Sequence, residues 1–308
     1  MSGIELGRIQ PVDERVRLDS LTLRVLRWNA IPDPDRSDGR LPPFLFVHGL
    51  ASNARLWDGM ARRLARAGRS SVAVDLRGHG RSDKPDAGFD FETVSADLVQ
   101  LIGALGLGRP IVVGQSWGAN VVLDLAVRRP DVVRGIVLVD GGLNDMRDGF
   151  PNWDDCWERL APPQLVGLPL DAIEGYFRSN HADWPPEGLE GSLGNFDVRE
   201  DRTIAPWLTR ERHKLILHEL WAQRPSGLWP RLRVPALVVP VDNGAADWVA
   251  GKRAGVERAL AAARTSGTPV LVEWFEGDHD IHAQRPAELV SAILEAERSG
   301  LFGEVRVG

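Results

Sequence analysis

The sequence predicts an α/β fold with a mostly parallel central sheet and helices on both of its faces. The first observation is a series of short apolar segments: FLFVHG (44–49), SVAVDLRG (71–78), PIVVGQS (110–116), GIVLVDGG (135–142), ALVVPVD (236–242) and VLVEWFEGD (270–278). The second is that helix-like stretches separate most of them: LWDGMARRLARAG, FETVSADLVQLIGALG, NVVLDLAVRRP and KRAGVERALAAARTSG. Short apolar strands that alternate with amphipathic helices are typical of a parallel sheet buried on both faces.

Two regions depart from this alternation. Residues 14–29 alternate in polarity as two further strands would, and a loop rich in Pro, Asp and Gly follows over 30–43. The span 143–230 has no convincing strand, holds six of the eleven tryptophans, and carries 15 Asp/Glu against 9 Arg/Lys. The simplest division is a core of 1–142 and 231–308 with a helical cap inserted at 143–230.

Composition restricts the classes of partner. The net charge is −6 and no basic run offsets it, which argues against a nucleic-acid ligand. The first 18 residues lack a signal-peptide layout, and no apolar run approaches the roughly 20 residues that span a bilayer. The single cysteine, Cys156, is expected to be a free thiol. We therefore expect a cytoplasmic monomer or homodimer with no membrane partner.

The segment IVVGQSWGANVV (111–122) places a Gly-x-Ser-x-Gly motif between a strand and a helix. Such a turn, a nucleophile elbow, holds its serine in a strained conformation with the hydroxyl exposed above the sheet. Ser116 is therefore a candidate nucleophile. The N–H groups of Trp117 and of Leu50, which follows the strand FLFV, are candidates for an oxyanion hole. The side chain of His48 is expected to be structural.

Other motifs lie at strand ends. The turn DLRGHGRSD (75–83) has a composition that suits a structural role beside the site. His279 follows the last apolar strand and precedes a closing helix. His279 and His282 are three residues apart, but no further ligand cluster accompanies them, so no metal site is expected. No nucleotide-binding motif is present either, and we expect no cofactor.

Four motifs, taken together, resemble those of α/β-hydrolase-fold enzymes that carry a cap domain. They are HGL at 48–50, DLRGHGRSDKP at 75–85, GQSWG at 114–118 and GDHDIHAQRP at 277–286. The resemblance extends from residue 48 to the last helix. It implies that Ser116 is the nucleophile and that His279 is the general base. It implies for His282 a place at the start of the closing helix, next to the reacting groups.

The acidic member of the triad is where this sequence departs from the family pattern. The family commonly places it in a Gly-x-x-Asp turn after the strand before the last, and this chain has ALVVPVDNGAADW there. Asp242, at the strand end, is the first choice. Asp247 would serve if the turn were longer, and Asp140 would serve because some relatives place the acid after GIVLV.

These observations predict a serine hydrolase that cleaves a small-molecule carboxylic ester or lactone through an acyl-enzyme. A serine at the elbow disfavours the haloalkane dehalogenase and epoxide hydrolase branches, which need a carboxylate there. Three alternatives remain: a carbon–carbon bond hydrolase, a peptidase similar to proline iminopeptidases, and a small-molecule receptor of the same fold with slow or no turnover. The tryptophans of the insertion would anchor its helices or, if they face the elbow, line an apolar pocket.

Overall fold

The central sheet has eight strands in a computed structural model that describes residues 9–32 and 41–303. Much of the loop predicted at 30–43 lies outside the described residues, as do eight residues of the N-terminal segment. The strands of the sheet are β1 (Val12–Arg17), β2 (Thr22–Trp28), β3 (Phe44–Val47), β4 (Ser71–Asp75), β5 (Ile111–Gln115), β6 (Gly135–Val139), β9 (Ala236–Val239) and β11 (Val270–Val272). Four shorter strands lie outside it: β7 (Phe196–Val198), β8 (Ile204–Pro206), β10 (Val241–Asp242) and β12 (Phe275–Glu276).

The strand order is β1-β2-β4-β3-β5-β6-β9-β11, and the pairs from β4 to β11 are all parallel. The pairs β1–β2 and β2–β4 are antiparallel. From β3 the chain passes to β4 on one side, then crosses to β5 on the other. Open α/β sheets bind their ligands at the carboxyl ends of strands where the order reverses in this way, here β3 and β5. The predicted fold class is confirmed.

Helices cover both faces of the sheet. They are α1 (Asp58–Arg66), α2 (Phe91–Ala104), α3 (Trp117–Arg128), α4 (Met146–Gly149), α5 (Trp153–Leu160), α6 (Leu170–Asn180), α7 (Pro186–Leu193), α8 (Arg210–Ala222), α9 (Pro225–Leu228), α10 (Ala246–Ser266), α11 (Ile281–Gln284) and α12 (Pro286–Arg298). Side chains of β3 alternate between the two layers. Leu45 and Val47 join the layer that holds α2 and α3, whereas Phe44 and Phe46 join the layer that holds α1 and α12.

Two predicted strands each form as two shorter ones. ALVVPVD divides into β9 and β10, and VLVEWFEGD divides into β11 and β12. Pro240 stands between β9 and β10 and has no N–H to donate to a ladder. The second halves leave the main sheet and pair with each other, Val241 opposite Phe275 and Asp242 opposite Glu276.

The 143–230 insertion is mostly helical and contains α4 to α9. The expectation that it contains no strand is wrong, because β7 and β8 form a short antiparallel hairpin in it. Gly188 and Gly191 of α7 lie against core backbone: a Cβ on either would come within 3 Å of the Ala283 or Arg55 carbonyl oxygen. The absence of side chains there lets α7 approach the core closely.

No helix in the described ranges is long and apolar enough to cross a bilayer. Cys156 is a free, buried thiol on α5, as expected, and burial raises its pKa to about 11.

Backbone lies directly against backbone in the turn between β5 and α3. A Cβ on Gly114 would lie 2.3 Å from the Gly118 carbonyl oxygen. A Cβ on Gly118 would lie 2.4 Å from the carbonyl oxygen of Val47 in β3. Both distances are far below van der Waals contact, so only glycine fits at either position.

Replacing Gly118 by alanine is expected to destabilise the protein by about 1–3 kcal/mol, because the obstructing atoms are backbone and cannot rotate away. The free energy of unfolding in urea measures this. Gly103→Ala is the matched control: Gly103 lies in α2 with no atom within 4 Å of an added Cβ, so alanine there should be neutral or stabilising by up to ~1 kcal/mol. Equal unfolding midpoints for the two variants would contradict this account.

Candidate active site

Ser116 lies at the junction of β5 and α3, as the elbow motif predicts. Its backbone has φ 54° and ψ −122°, a conformation that L-residues rarely adopt. The backbone N–H of Ser116 donates to the carbonyl oxygen of Val139 at 2.9 Å, which ties the turn to the end of β6. Strain of this kind persists only where the surrounding structure enforces it, and it is concentrated at functional sites.

The loop after β3 adjoins the serine. Gly49 lies against Ser116, because a Cβ added to Gly49 would be 3.2 Å from the Cβ of Ser116. Leu50 is the next residue of this loop. In the described part of the chain, the backbone N–H groups of Leu50 and Trp117 donate to no protein acceptor. Trp117 begins α3, where the first N–H groups of a helix lack intrahelical partners.

His48 and the turn after β4 make structural contacts. His48 is fully buried, its Nε2 accepts the Leu76 N–H at 3.0 Å, and burial lowers its pKa. Asp75 accepts the N–H groups of Ala54 at 2.7 Å and Arg81 at 2.9 Å. These bonds join the loop after β3 to the turn after β4.

His279 pairs with Asp140. The imidazole Nδ1 lies 2.5 Å from Oδ2 of Asp140, whose side chain is buried directly after β6. Asp140 also has a positive φ, 47°, so the acid and the candidate nucleophile both occupy strained backbone. The His279 side chain is 49% exposed, which leaves the ring accessible.

Asp242, the first choice for the acid, does not contact His279. Its Oδ1 accepts the Gly244 N–H at 3.1 Å, and its Oδ2 lies 3.6 Å from Nη2 of Arg253. Asp247 is exposed on the first turn of α10. The structure thus pairs the histidine with the third of the three predicted candidates. The reason is the break at Pro240, which directs Asp242 into its own turn.

Burial opposes ionisation of Asp140 and protonation of His279, but their mutual contact outweighs it. The hydrogen bond and the charge of the imidazolium, with a further contribution from Lys252, bring the pKa of Asp140 below its ordinary value. The hydrogen bond that His279 donates to Asp140, with the charges of Asp280 and Asp140, raises the pKa of His279. The pair therefore favours a carboxylate that stabilises a protonated imidazole.

Two further side chains hold this arrangement and were not predicted. Gln115 donates from Nε2 to the His279 carbonyl oxygen at 3.1 Å, so the residue before the serine ties the elbow to the histidine loop. A polar residue at the end of a fully buried strand is the signal that could have found it. Lys252 contacts both oxygens of Asp140, and no motif in its helix marks it.

The insertion also reaches the histidine loop. Asp278, next to His279, accepts the indole N–H of Trp184 at 2.6 Å and lies 3.3 Å from Nδ1 of His181. Gln284 donates to Asp183 at 2.6 Å. Two residues of the segment before α7 therefore contact the loop that carries His279, and a third contacts the helix that follows this loop.

The tryptophans of the insertion mainly anchor it. Trp229 is buried and donates its indole N–H to the Gly142 carbonyl oxygen at 2.8 Å. Trp153 packs near Trp157 and Trp221, with ring centroids 6.1 and 5.9 Å apart. The Trp229 contact joins the insertion to the core, as expected of an anchoring tryptophan, whereas the Trp153 contacts join helices within the insertion.

His282 lies on α11, fully buried against Trp57, with ring centroids 4.3 Å apart. Neither ring nitrogen has a hydrogen-bond partner among the described residues, and burial lowers its pKa to about 4. His282 therefore forms no hydrogen bond with Asp140 or His279. In the described ranges, no group of three or more His, Cys, Asp or Glu side chains is placed to bind a metal ion.

The fold and the elbow at Ser116 are those of the α/β-hydrolase class of proteins. Comparisons with known proteins find the same fold. A family described as "alpha/beta hydrolase fold" matches residues 42–176. A 2-(acetamidomethylene)succinate hydrolase of Mesorhizobium japonicum is 36% identical over 178 residues, 58% of this chain and 59% of that protein. An sn-1-specific diacylglycerol lipase of Mus musculus is 40% identical over 105 residues, 33% of this chain and 34% of that protein.

Likeness to a solved structure extends over more of the chain. The crystal structure of E-2-(acetamidomethylene)succinate hydrolase superposes with a TM-score of 0.73 and 24% identity, covering 92% of this chain and 98% of that one. The family match is confined to residues 42–176, and the likeness to the solved structure shows that the chain has the α/β-hydrolase fold. In sequence it matches less than two thirds of the length of the two relatives named above.

Acid is expected to destabilise the protein partly through His282. An unfolded histidine titrates near its usual 6.5 and the buried ring near 4, so the unfolded state binds the extra proton first. Stability from this residue is full above pH 6.5 and is lost as pH falls toward 4, by about 3 kcal/mol. His282→Phe should keep the packing and lose less stability between pH 7 and 4. Urea unfolding at each pH tests this, and parallel curves for the two proteins would contradict it.

Proposed function

We propose that this protein is a serine hydrolase that cleaves a small-molecule carboxylic ester or lactone, with Ser116 as nucleophile, His279 as base and Asp140 as the orienting acid. The observation that carries the proposal is the hydrogen-bonded His279–Asp140 pair at the strand edge where the elbow holds Ser116 in strained backbone. A nucleophile, a base and a group that orients the base are the three parts of this chemistry.

In the acylation step, Oγ of Ser116 attacks the carbonyl carbon and His279 takes the hydroxyl proton on Nε2. Asp140 accepts the hydrogen bond from Nδ1, which fixes the ring and stabilises its charged form. The carbonyl oxygen becomes an oxyanion, and the N–H groups of Leu50 and Trp117 are the donors proposed to bind it. When the carbon–oxygen bond breaks, His279 returns its proton to the leaving alkoxide.

Deacylation repeats these roles with water as the nucleophile. His279 takes a proton from water, the hydroxide attacks the acyl carbon, and Ser116 leaves as the alkoxide, which regains the proton from His279. The 49% exposure of the His279 side chain supports access for that water.

We propose that residues 143–230 act as the cap over this site. A cytoplasmic location and a monomeric or dimeric state remain predictions.

A second candidate comes from the Mesorhizobium relative. That protein is named for hydrolysis of 2-(acetamidomethylene)succinate, and 36% identity over 178 residues favours trying a related compound here. Its substrate carries an acylated nitrogen, so the same serine chemistry would cleave an amide rather than an ester. The first activity panel should therefore contain 2-(acetamidomethylene)succinate as well as carboxylic esters and lactones.

A fluorophosphonate is expected to modify Ser116 alone, because only an activated serine reacts with it at neutral pH. Intact mass before and after incubation, followed by peptide mapping, measures the adduct. Ser116→Ala should gain no mass and should lower turnover of any accepted ester by about 10³-fold or more. Ser82→Ala is the matched control, since its hydroxyl is buried and bonded to the Asp75 carbonyl oxygen. The proposal fails if the folded wild-type protein gains no adduct, or if the adduct maps elsewhere.

Asp140→Asn is expected to lower kcat on the order of 10⁴-fold, because the amide favours the wrong tautomer of His279. Asp242→Asn should stay within a few-fold of wild type, since Asp242 caps its own turn. Steady-state kinetics on the same ester compares the two variants. The reverse ranking would restore Asp242 as the acid and remove Asp140 from the mechanism.

A further inference from the structure

Lys252 is a buried lysine whose contacts converge on the Asp140–His279 pair. It lies on α10, only 8% of its surface is exposed, and it is one of three lysines in the chain. Its Nζ lies 2.8 Å from Oδ1 and 2.9 Å from Oδ2 of Asp140, and it donates to the Val241 carbonyl oxygen at 2.7 Å. A buried ammonium group is costly unless it is paired and hydrogen-bonded, and these contacts supply both.

The same carboxylate oxygen serves the lysine and the histidine. Oδ2 of Asp140 accepts from Nζ of Lys252 and from Nδ1 of His279. Oδ1 accepts the Val241 N–H and lies 2.8 Å from Nζ of Lys252 in an ion pair. The lysine therefore fixes the plane of the carboxylate. It also competes with the imidazole for the negative charge of one oxygen.

The charged and titratable groups around His279 come from several elements. Asp140 follows β6, Lys252 comes from α10, Asp280 is the next residue of the loop, and His282 lies on α11. Asp278 adjoins the histidine but is bonded to Trp184 of the insertion. Lys252 is the cation that contributes to the pKa of His279, and it lowers that pKa, against the raising effect of Asp140 and Asp280.

We propose that Lys252 is a positioning residue of this active site: its ammonium group holds the Asp140 carboxylate in plane and limits the charge that the carboxylate presents to His279. Without Lys252 the carboxylate would stabilise the imidazolium more strongly, and less of the histidine would be free base near neutral pH. The expected change in kcat/KM rests on the proposed function, whereas the expected change in the pKa of His279 does not.

A purely structural role makes a different prediction. If Lys252 only joined α10 to β10 through Val241, its loss would change stability and leave the titration of His279 unaltered. Arg253, the next residue of the helix, supplies a matched control. It lies 3.6 Å from Asp242 and over the ring of Trp274, so it carries the same charge on the same helix but faces a different carboxylate.

The experiment follows the His279 imidazole by NMR between pH 4 and 10 in wild type, Lys252→Met, Lys252→Gln and Arg253→Met, with His279→Gln to assign the signal. Both Lys252 variants are expected to raise the pKa of His279, whereas Arg253→Met should leave it close to wild type. Gln keeps a neutral N–H donor at this position and Met keeps none, so agreement between the two variants would attribute the shift to lost charge. The second variant also protects the test if one of them fails to fold.

The pH profile of kcat/KM on an accepted ester provides the second readout. The acid limb of the Lys252 variants should move to higher pH, so that activity at pH 6 falls by about 10-fold while activity at pH 8.5 falls less. An unmoved His279 pKa in folded Lys252 variants would overturn the inference. A wild type that titrates as expected but forms no fluorophosphonate adduct would instead overturn the proposed function.

Discussion

The close approach of backbone to backbone around Ser116 is the constraint on which the rest of the site depends. Gly114 and Gly118 let the start of α3 sit directly on β3 and β5, and the turn can close only with Ser116 at positive φ. The N–H of Ser116 is committed to β6 through Val139. One turn therefore brings together three strand ends, and each of them supplies a component of the candidate site.

The order of the strands decides which acid meets the histidine. In the parallel sheet β6 lies between β5 and β9, so a residue directly after β6 is next to both the elbow and the segment that leads to the last strands. Asp140 occupies that position with its backbone strained, and Val241 donates to it from the far side. A glycine follows, since a Cβ at Gly141 would lie 2.2 Å from the Ser116 carbonyl oxygen.

The strands, and those site residues that stand in a local motif, could be predicted from the sequence alone. Ser116 and His279 stand in motifs at strand ends, and the apolar runs identify the sheet without any tertiary information. The acid could not be chosen in the same way, because Asp140 and Asp242 both end apolar segments and only the tertiary contact of Asp140 with His279 distinguishes them. Lys252 and Gln115 act across 112 and 164 residues of sequence, and no local pattern encodes such contacts.

The loop that carries His279 is held from three directions, and this explains how a half-exposed ring keeps one orientation. Gln115 holds its backbone from the elbow, Asp140 holds its ring from the sheet, and Trp184 holds the preceding residue, Asp278, from the insertion. Exposure of the ring leaves its second nitrogen accessible, while the bonds on the other side restrict rotation. The insertion thus contributes to the structure around the site, because part of the support of the histidine loop comes from residues 181–184.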